Sequence, residues 1–265
     1  MGEGSQSIVE SFRANLGSVK RLSNFDEIVI EIATSSITKR DQALADALRP
    51  RGVNIPERLS GARIVTQLEN LRENQSLRQE YSVMFNQCIV LQVSYFASSL
   101  HDLFRYFFQR RIEEGGTSEI LKEELKVSFG QLNDLGWDVK ANAADLFLSA
   151  RDLSFQDMQS VTRSFSKWLG FSRPRDSATN TIIVGQAARH CIVHTGGRVS
   201  SRMLSQIRDC TDAEIFPNLR EGALIISQPC DIALLSKAMD LYMTELSEGL
   251  SMCPAPVEAN PGSRK

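Results

Sequence analysis

The sequence predicts an all-α protein, and three features of its residue pattern lead to this fold class. Glycine and proline are sparse, with 16 and 8 in 265 residues, and they cluster between long uninterrupted stretches. Within those stretches apolar residues recur at steps of three and four, which is the spacing of a helix face that packs on a core. The one strand-like segment, ALIIS at 223–227, is too short to support a sheet by itself.

The longest stretch without glycine or proline, 67–111, predicts one or two long helices. Its apolar positions recur at helical spacing: Val83, Cys88, Leu91, Tyr95, Leu100, Leu103 and Phe107. The double glycine in EEGGTS (113–118) ends this run. Thr117 or Ser118 is expected to cap a further helix over 118–129.

Three more helices are predicted toward the C-terminus. The segment 154–171 has Ser154 as its expected N-cap and Gly170 as its terminator. After a polar loop, Ser177 or Thr179 is expected to begin the helix that carries the motif described below. The last helix is amphipathic, with an apolar face formed by Ile232, Leu235, Met239, Tyr242 and Leu246.

We divide the chain into three parts on this pattern. Residues 1–65 form an N-terminal helical extension of unknown role, which could be extra helices, an insertion that binds a partner, or a cover over the main bundle. Residues 66–252 form the main helical domain. Residues 253–265 are expected to be a disordered tail.

Composition and charge lead us to expect a cytoplasmic protein with no membrane partner. The chain is 42% hydrophobic and 23% charged with a net charge of −2, which excludes a globally basic nucleic-acid coat but allows a local basic site. No apolar stretch approaches the roughly 20 residues of a membrane span, and no secretory signal is evident. The five scattered cysteines fit reduced thiols better than disulfides or a zinc ribbon.

Residues 187–200, AARHCIVHTGGRVS, hold two of the three histidines, one helical turn apart and directly behind an arginine. Because Arg189 and His194 are five residues apart, they lie about 140° apart around one helix and about 7.5 Å along it. They can share a site if the helix ends at His194, or if a second copy of the helix faces the first. The double glycine favours a helix end there, where the helix dipole favours an imidazolium.

This pattern suits cleavage of a phosphodiester without a metal. His194 would move protons, and the fork of Arg189 would hold the charge of a pentacoordinate phosphate. RNA fits better than DNA because its 2′-hydroxyl is a built-in nucleophile. The basic residues that follow, Arg198 and Arg202, are candidate substrate contacts.

Two other interpretations stay open on spacing alone. The arginine and both histidines could be structural, with the arginine on a carboxylate and a histidine at a helix end. A metal site is the second, because histidines at i and i+4 form a ligand pair, but no third ligand is evident nearby. We expect no metal and no cofactor.

The motif and its flanks resemble the HEPN domain superfamily. The superfamily motif is an arginine, a polar residue, three further residues and a histidine, and Arg189, His190 and His194 fill these places. Three flanking segments are similar to the long second helix and to the segments around the motif helix in standalone bacterial members of the RiboL-PSP-HEPN type: 93–108, 152–171 and 220–250.

The resemblance implies a HEPN-type helical bundle that forms a homodimer through the motif helices, so that two copies of the motif line one cleft. It implies a metal-independent endoribonuclease, acting as a toxin or phage-defence effector with an antitoxin or regulatory protein as a partner. His194 would be the acid and base, Arg189 the phosphate anchor and His190 an auxiliary polar residue.

The chain departs from the family pattern at Ala97, which stands where many members have a glutamate. Ser98, His101 or Asp102 could take the place of that acid. Some members have lost catalysis, so the alternative is a non-catalytic HEPN-like module that binds RNA, nucleotide or a protein partner.

Overall fold

The computed structural model describes residues 3–51, 60–73, 75–116 and 118–252, and within these ranges helices joined by turns and loops form the regular secondary structure. The helices are α1 (Glu3–Ser23), α2 (Phe25–Leu48), α3 (Ala62–Glu73), α4 (Gln75–Glu113), α5 (Ser118–Leu121), α6 (Phe129–Asp134), α7 (Ala143–Ala150), α8 (Met158–Leu169), α9 (Ser177–His194), α10 (Ser201–Gln206) and α11 (Pro229–Met252), with a short 3-10 helix at Arg49–Arg51. These ranges contain no β-strand, only an isolated bridge between Arg198 and Leu224. The prediction of an all-α fold is confirmed.

Helix α4 is the centre of the bundle, with α1, α9 and α11 packed along it and α7 and α8 at its C-terminal half. Its side chains Phe96, Leu100 and Phe104 are completely buried. The ring of Phe104 lies at the middle of an aromatic cluster, with centroids 5.5 Å from those of Phe108, Phe155 and Phe165 and 6.4 Å from that of Phe147. Burying each such ring contributes roughly 1.5–3 kcal/mol to folding, so this cluster fixes how α7 and α8 meet α4.

The N-terminal residues contain two kinds of helix. Helix α1 lies against α4 and α11 and buries four side chains in the same core: Val9, Phe12, Leu16 and Val19. Helices α2 and α3 pack mainly on each other, and α2 exposes Phe25 and Ile32. Of the roles considered for residues 1–65, the described part therefore consists of extra helices, of which α1 belongs to the main core.

The segment Tyr81–Glu113 within α4 is long and apolar enough to cross a membrane by length and composition, and 44% of its most apolar window is buried inside the molecule. A core helix of a soluble protein passes the same test. In this structure the segment supplies Phe96, Leu100 and Phe104 to the core. The expectation of no membrane partner stays a prediction.

The helix predicted over 118–129 is wrong in its length. Helix α5 ends at Leu121, and a further short helix, α6, begins at Phe129. Ser128 is the reason for this second start, because its hydroxyl accepts from the N–H of Gln131 while the Gln131 side chain accepts from the N–H of Ser128. This capping box requires an extended backbone at Ser128, which a continuous helix would not allow. The tail predicted at 253–265 lies outside the described residues.

Two predicted N-caps are also corrected, each in favour of an aspartate. Asp157, not Ser154, caps α8 by accepting from the N–H of Ser160. Asp176, not Ser177 or Thr179, caps α9.

In both cases the aspartate lies three residues before a free N–H, which is the position a capping side chain needs. At the other end of α8, Gly170 has φ +68° and ends the helix as predicted.

Helix α9 approaches α11 most closely at a glycine. A Cβ atom built on Gly185 would lie 2.7 and 2.9 Å from the two terminal carbons of Leu235, which is completely buried and has no free space to move into. The absence of a side chain at Gly185 therefore sets the distance between α9 and α11, and with it the position of the motif.

We expect Gly185→Val to destabilise the protein by about 2 kcal/mol, because the added methyl groups overpack a closed core. The matched control is Gly17→Val in α1, where the nearest atom to a new Cβ is an arginine nitrogen at 3.7 Å. This control is expected to be neutral or slightly stabilising. Urea unfolding of both variants measures the difference, and equal midpoints would contradict the packing argument.

Candidate active site

The first turn of α9 is fixed to the bundle by buried polar contacts. Asp176 accepts from the N–H and the hydroxyl of Thr179 at 2.8 and 2.6 Å. The guanidinium of Arg173 donates to Asp176 and, at 2.7 Å, to Glu245 of α11, and it lies over the ring of Tyr242. Because the charge of Arg173 is used on these two carboxylates, this residue holds α9 in place rather than offering a free cation.

The last turn of α9 ends in a tight glycine turn. The N–H groups of Thr195 and Gly197 both donate to the carbonyl of Cys191, at 2.9 and 3.0 Å. Gly196 and Gly197 have φ of +62° and +77°, which side-chain-bearing residues rarely adopt. The helix therefore ends at His194, as the double glycine predicted.

A large open groove runs along α9 and is bounded by α4, α8, α10 and the loop 152–157. Its volume is about 1540 Å³. The groove carries two histidines, the two carboxylates Asp152 and Asp157, and a set of basic and amide side chains. Among these side chains are His101, Arg163, Gln186, Arg189, His190 and Arg202. We call this surface the α9 groove.

Three arginines of the α9 groove have no hydrogen bond or ion pair in the part of the chain that the structure describes. They are Arg163 from α8, Arg189 from α9 and Arg202 from α10, whereas Arg173 and Arg175 at the same surface are engaged by protein acceptors. An unpaired guanidinium keeps its bidentate donors for a ligand. The α9 groove is therefore suited to an anion with several oxygens.

His190 lies in the α9 groove close to Arg189 and Arg202 and is half-buried. Burial, and then the nearby charges of His194, Arg202 and Arg189, lower the pKa of His190 below its ordinary value of 6.5. Its ring centroid is 4.7 Å from that of His194. At neutral pH His190 is therefore an uncharged imidazole that can donate and accept hydrogen bonds.

His194 and Arg198 do not line the α9 groove. His194 is exposed beyond its rim, one turn after His190. Arg198 follows the glycine turn and donates to the carbonyl of Gly222 at 3.1 Å, which directs its guanidinium to the 222–225 loop. Of the residues selected from the sequence, the groove therefore collects Arg189, His190 and Arg202.

The α4 wall of the α9 groove contains Ala97, the position at which the resemblance leads one to expect a glutamate. Ala97, Ser98 and His101 all line this wall. Asp102 does not line it, and its carboxylate lies 3.3 Å from Nδ1 of His101. His101 also packs edge-on against Phe155. Of the three substitutes considered for the acid, Ser98 and His101 face the groove.

Sequence reasoning missed two polar residues of the α9 groove. Gln186 precedes Arg189 by three residues and His190 by four, so helical spacing from the motif would have placed it on the same face. Arg163 lies on α8, and no local signal connects it to the motif, because only the packing of α8 beside α9 brings it there.

Within the described ranges, no group of three or more histidine, cysteine, aspartate or glutamate side chains is arranged to hold a metal ion. Comparisons of the chain with models of protein families, with curated proteins and with solved structures found no match.

The lowered pKa of His190 predicts a pH dependence of stability. Below about pH 6.5 the unfolded chain binds a proton at this residue before the folded chain does. The free energy of unfolding therefore decreases as the pH is lowered from 6.5 to the pKa of His190 in the folded protein. Above that window both states are neutral and the effect vanishes.

We expect His190→Gln to lose less stability than the wild type on acidification from about pH 7.5 to about pH 5.5. Urea unfolding at both values measures this, and the comparison cancels the contribution of groups that the two proteins share. An identical loss in both proteins would show that His190 does not carry the effect.

Proposed function

We propose that the protein is a metal-independent endoribonuclease of HEPN type, which binds single-stranded RNA in the α9 groove and acts as a toxin or phage-defence effector. The observation that carries this proposal is the set of three unpaired guanidinium groups in the α9 groove, two of which, those of Arg189 and Arg202, lie close to His190. RNA supplies phosphate oxygens for the guanidinium groups and a 2′-hydroxyl as the nucleophile.

The proposed reaction needs two proton transfers and stabilisation of charge. A base removes the proton of the 2′-hydroxyl, the oxygen attacks the adjacent phosphorus, and an acid protonates the departing 5′-oxygen, which leaves a 2′,3′-cyclic phosphate. Arg189 would hold the charge that develops on the phosphate. His194 would transfer protons. His190, which is uncharged at neutral pH, would orient the phosphate by hydrogen bonds.

The exposed position of His194 supports a composite site formed by two copies of the chain. Three apolar side chains around the end of α9 are half exposed: Val193, Leu224 and Ile226, at 47%, 54% and 48%. The N–H of Ile225 donates to the carbonyl of Gly197 at 2.8 Å, so this loop and the glycine turn form one surface. A second copy packed there would bury apolar area and bring its own motif toward the first.

A second candidate function is favoured by Ala97. The α4 wall presents a methyl group where many members of the family carry a glutamate. A chain that kept the arginines and lost the acid would bind RNA in the α9 groove without cutting it. The following experiment separates the two functions.

Incubation of the purified protein with total RNA in EDTA is expected to yield fragments with 2′,3′-cyclic phosphate ends. His194→Ala is expected to lower the cleavage rate by about 10²-fold or more, because it removes a proton-transfer group. Arg189→Ala is expected to lower it by about 10²-fold, because it removes the group that holds the transition-state charge. End-group analysis of the fragments and initial rates measure both.

Arg208→Ala is the matched control, since Arg208 is an exposed arginine outside the α9 groove. It is expected to cleave at the wild-type rate. Light scattering and circular dichroism on each variant establish that the dimer and the fold are retained. RNA binding without cleavage by a folded wild-type dimer would favour the non-catalytic module.

The two arginines after the motif are expected to differ in RNA binding. Arg202 lines the α9 groove, whereas Arg198 is directed to the 222–225 loop. In a His194→Ala background, Arg202→Ala is expected to weaken binding of a short single-stranded RNA and to reduce the slope of log K against log salt by about 0.7. Arg198→Ala is expected to leave both quantities close to their starting values.

Fluorescence anisotropy titrations at several salt concentrations measure affinity and slope together. An equal loss of RNA affinity in both variants, or a loss in Arg198→Ala alone, would contradict the assignment of the groove as the RNA site.

A further inference from the structure

Gln186 is a buried polar residue on the floor of the α9 groove. It lies on α9 one turn before the motif, lines the groove, and is only 8% exposed. Its side-chain oxygen accepts from the N–H of Met158, the first residue of α8, at 3.0 Å. This bond joins α9 to the start of α8 at the point where both form the groove floor.

The bond to Met158 fixes which way the amide of Gln186 points. Only the oxygen of a carboxamide accepts a hydrogen bond, so the oxygen must face the Met158 N–H and the NH₂ group must take the other position. That nitrogen, Nε2, is buried and has no hydrogen-bond partner in the described part of the chain. A buried donor without a partner costs free energy, so such a group usually binds a water, an ion or a ligand.

The surroundings of Gln186 favour a neutral acceptor over a charged one. Its neighbours at the groove on α9 are Ile183 and Ala187, both apolar, and Arg189 and His190 follow one turn later toward the motif end. Moving a charged phosphate onto a buried apolar floor has a large desolvation cost. The desolvation cost of a neutral carbonyl oxygen is much smaller. The exposed guanidinium groups already supply the cations that phosphates require.

We propose that Gln186 is a specificity-determining residue that donates from Nε2 to a carbonyl oxygen of a base bound in the α9 groove. This inference rests on the proposed function, because it takes the ligand to be RNA. Uracil, cytosine and guanine carry such an oxygen, and adenine has none. The α9 groove therefore selects oligonucleotides with a pyrimidine at this subsite over those with adenine.

The test compares short oligouridylate, oligocytidylate and oligoadenylate of equal length, bound to the full chain with His194→Ala to prevent cleavage. Anisotropy titrations are expected to show roughly tenfold tighter binding of the two pyrimidine oligomers than of oligoadenylate, the size of one satisfied hydrogen bond at a buried donor. This first measurement leaves Gln186 unchanged, so it does not depend on how a variant folds.

The variant Gln186→Glu removes the donor but keeps an oxygen for the Met158 N–H. It also adds a negative charge to the groove, so the matched control is Gln206→Glu, an exposed groove residue whose side chain has no hydrogen bond to the described chain. Gln206→Glu is expected to weaken all three oligomers alike. Gln186→Glu is expected to remove the pyrimidine preference in addition.

Each other outcome overturns the assignment. Equal binding of the three oligomers by the chain with Gln186 intact would show that no carbonyl is recognised there. A preference that survives Gln186→Glu would place base recognition elsewhere. A loss beyond that of Gln206→Glu but equal for all three oligomers would place a phosphate at Gln186. Binding of none of the oligomers would overturn the proposed function as well, which separates that failure from the other three.

Discussion

The burial of α9 between α4 and α11 is the constraint on which the rest of the structure depends. Burial of a helix with this many polar residues costs free energy wherever they lack partners. Asn180 has partners in Arg175 and Asp212, and Thr181 accepts from a backbone N–H. Gly185 then lets α9 lie directly on Leu235. Because the N-terminal two thirds of the helix are fixed in this way, its last turns emerge at a defined edge of the bundle.

That fixed direction divides the motif into two parts. Arg189 and His190 fall on the side of α9 that lines the α9 groove, and His194 falls beyond it. A helix end at His194 was one of two conditions under which Arg189 and His194 could share a site. The end is present, yet the two side chains still face different surroundings within one chain. The second condition, a facing copy of the helix, is therefore the one that the proposed function requires.

The sequence predicted the fold class and the long helices because both follow from periodicity. Helices α4 and α11 bury the predicted face residues Leu100 and Leu235, whereas Val83 at the start of the α4 pattern is 65% exposed. Met84 and Phe85 pack on the core beside it, so the buried face there passes through these residues instead. Helix starts were predicted less well, since a serine and an aspartate three residues apart are both plausible caps. Between 118 and 129 the single predicted helix is replaced by two short ones because Ser128 and Gln131 form a capping box. Hydrophobic periodicity gives no sign of this pair of hydrogen bonds.

The residues of the candidate site also differ in whether local sequence or tertiary packing places them. Arg189, His190 and Arg202 are close in sequence, and a helix followed by a tight turn brings them to one groove, so local reasoning was enough. Arg163 is distant in sequence and joins them only through the packing of α8, a tertiary fact. For Arg198, local reasoning gave the proximity to the motif but not the direction, which the bond to the Gly222 carbonyl sets.

The charges around the motif suggest why two adjacent histidines are compatible with one site. Two imidazolium rings with centroids 4.7 Å apart would repel each other, and the arginines nearby would add to the repulsion. Burial and these charges keep His190 neutral, so the pair carries at most the charge of His194 at neutral pH. His190 can then bind a phosphate oxygen through its N–H while Arg189 supplies the positive charge. The neutral state of His190 is thus a consequence first of burial and then of the nearby charges, and the proposed function requires it if His194 beside it is to transfer a proton.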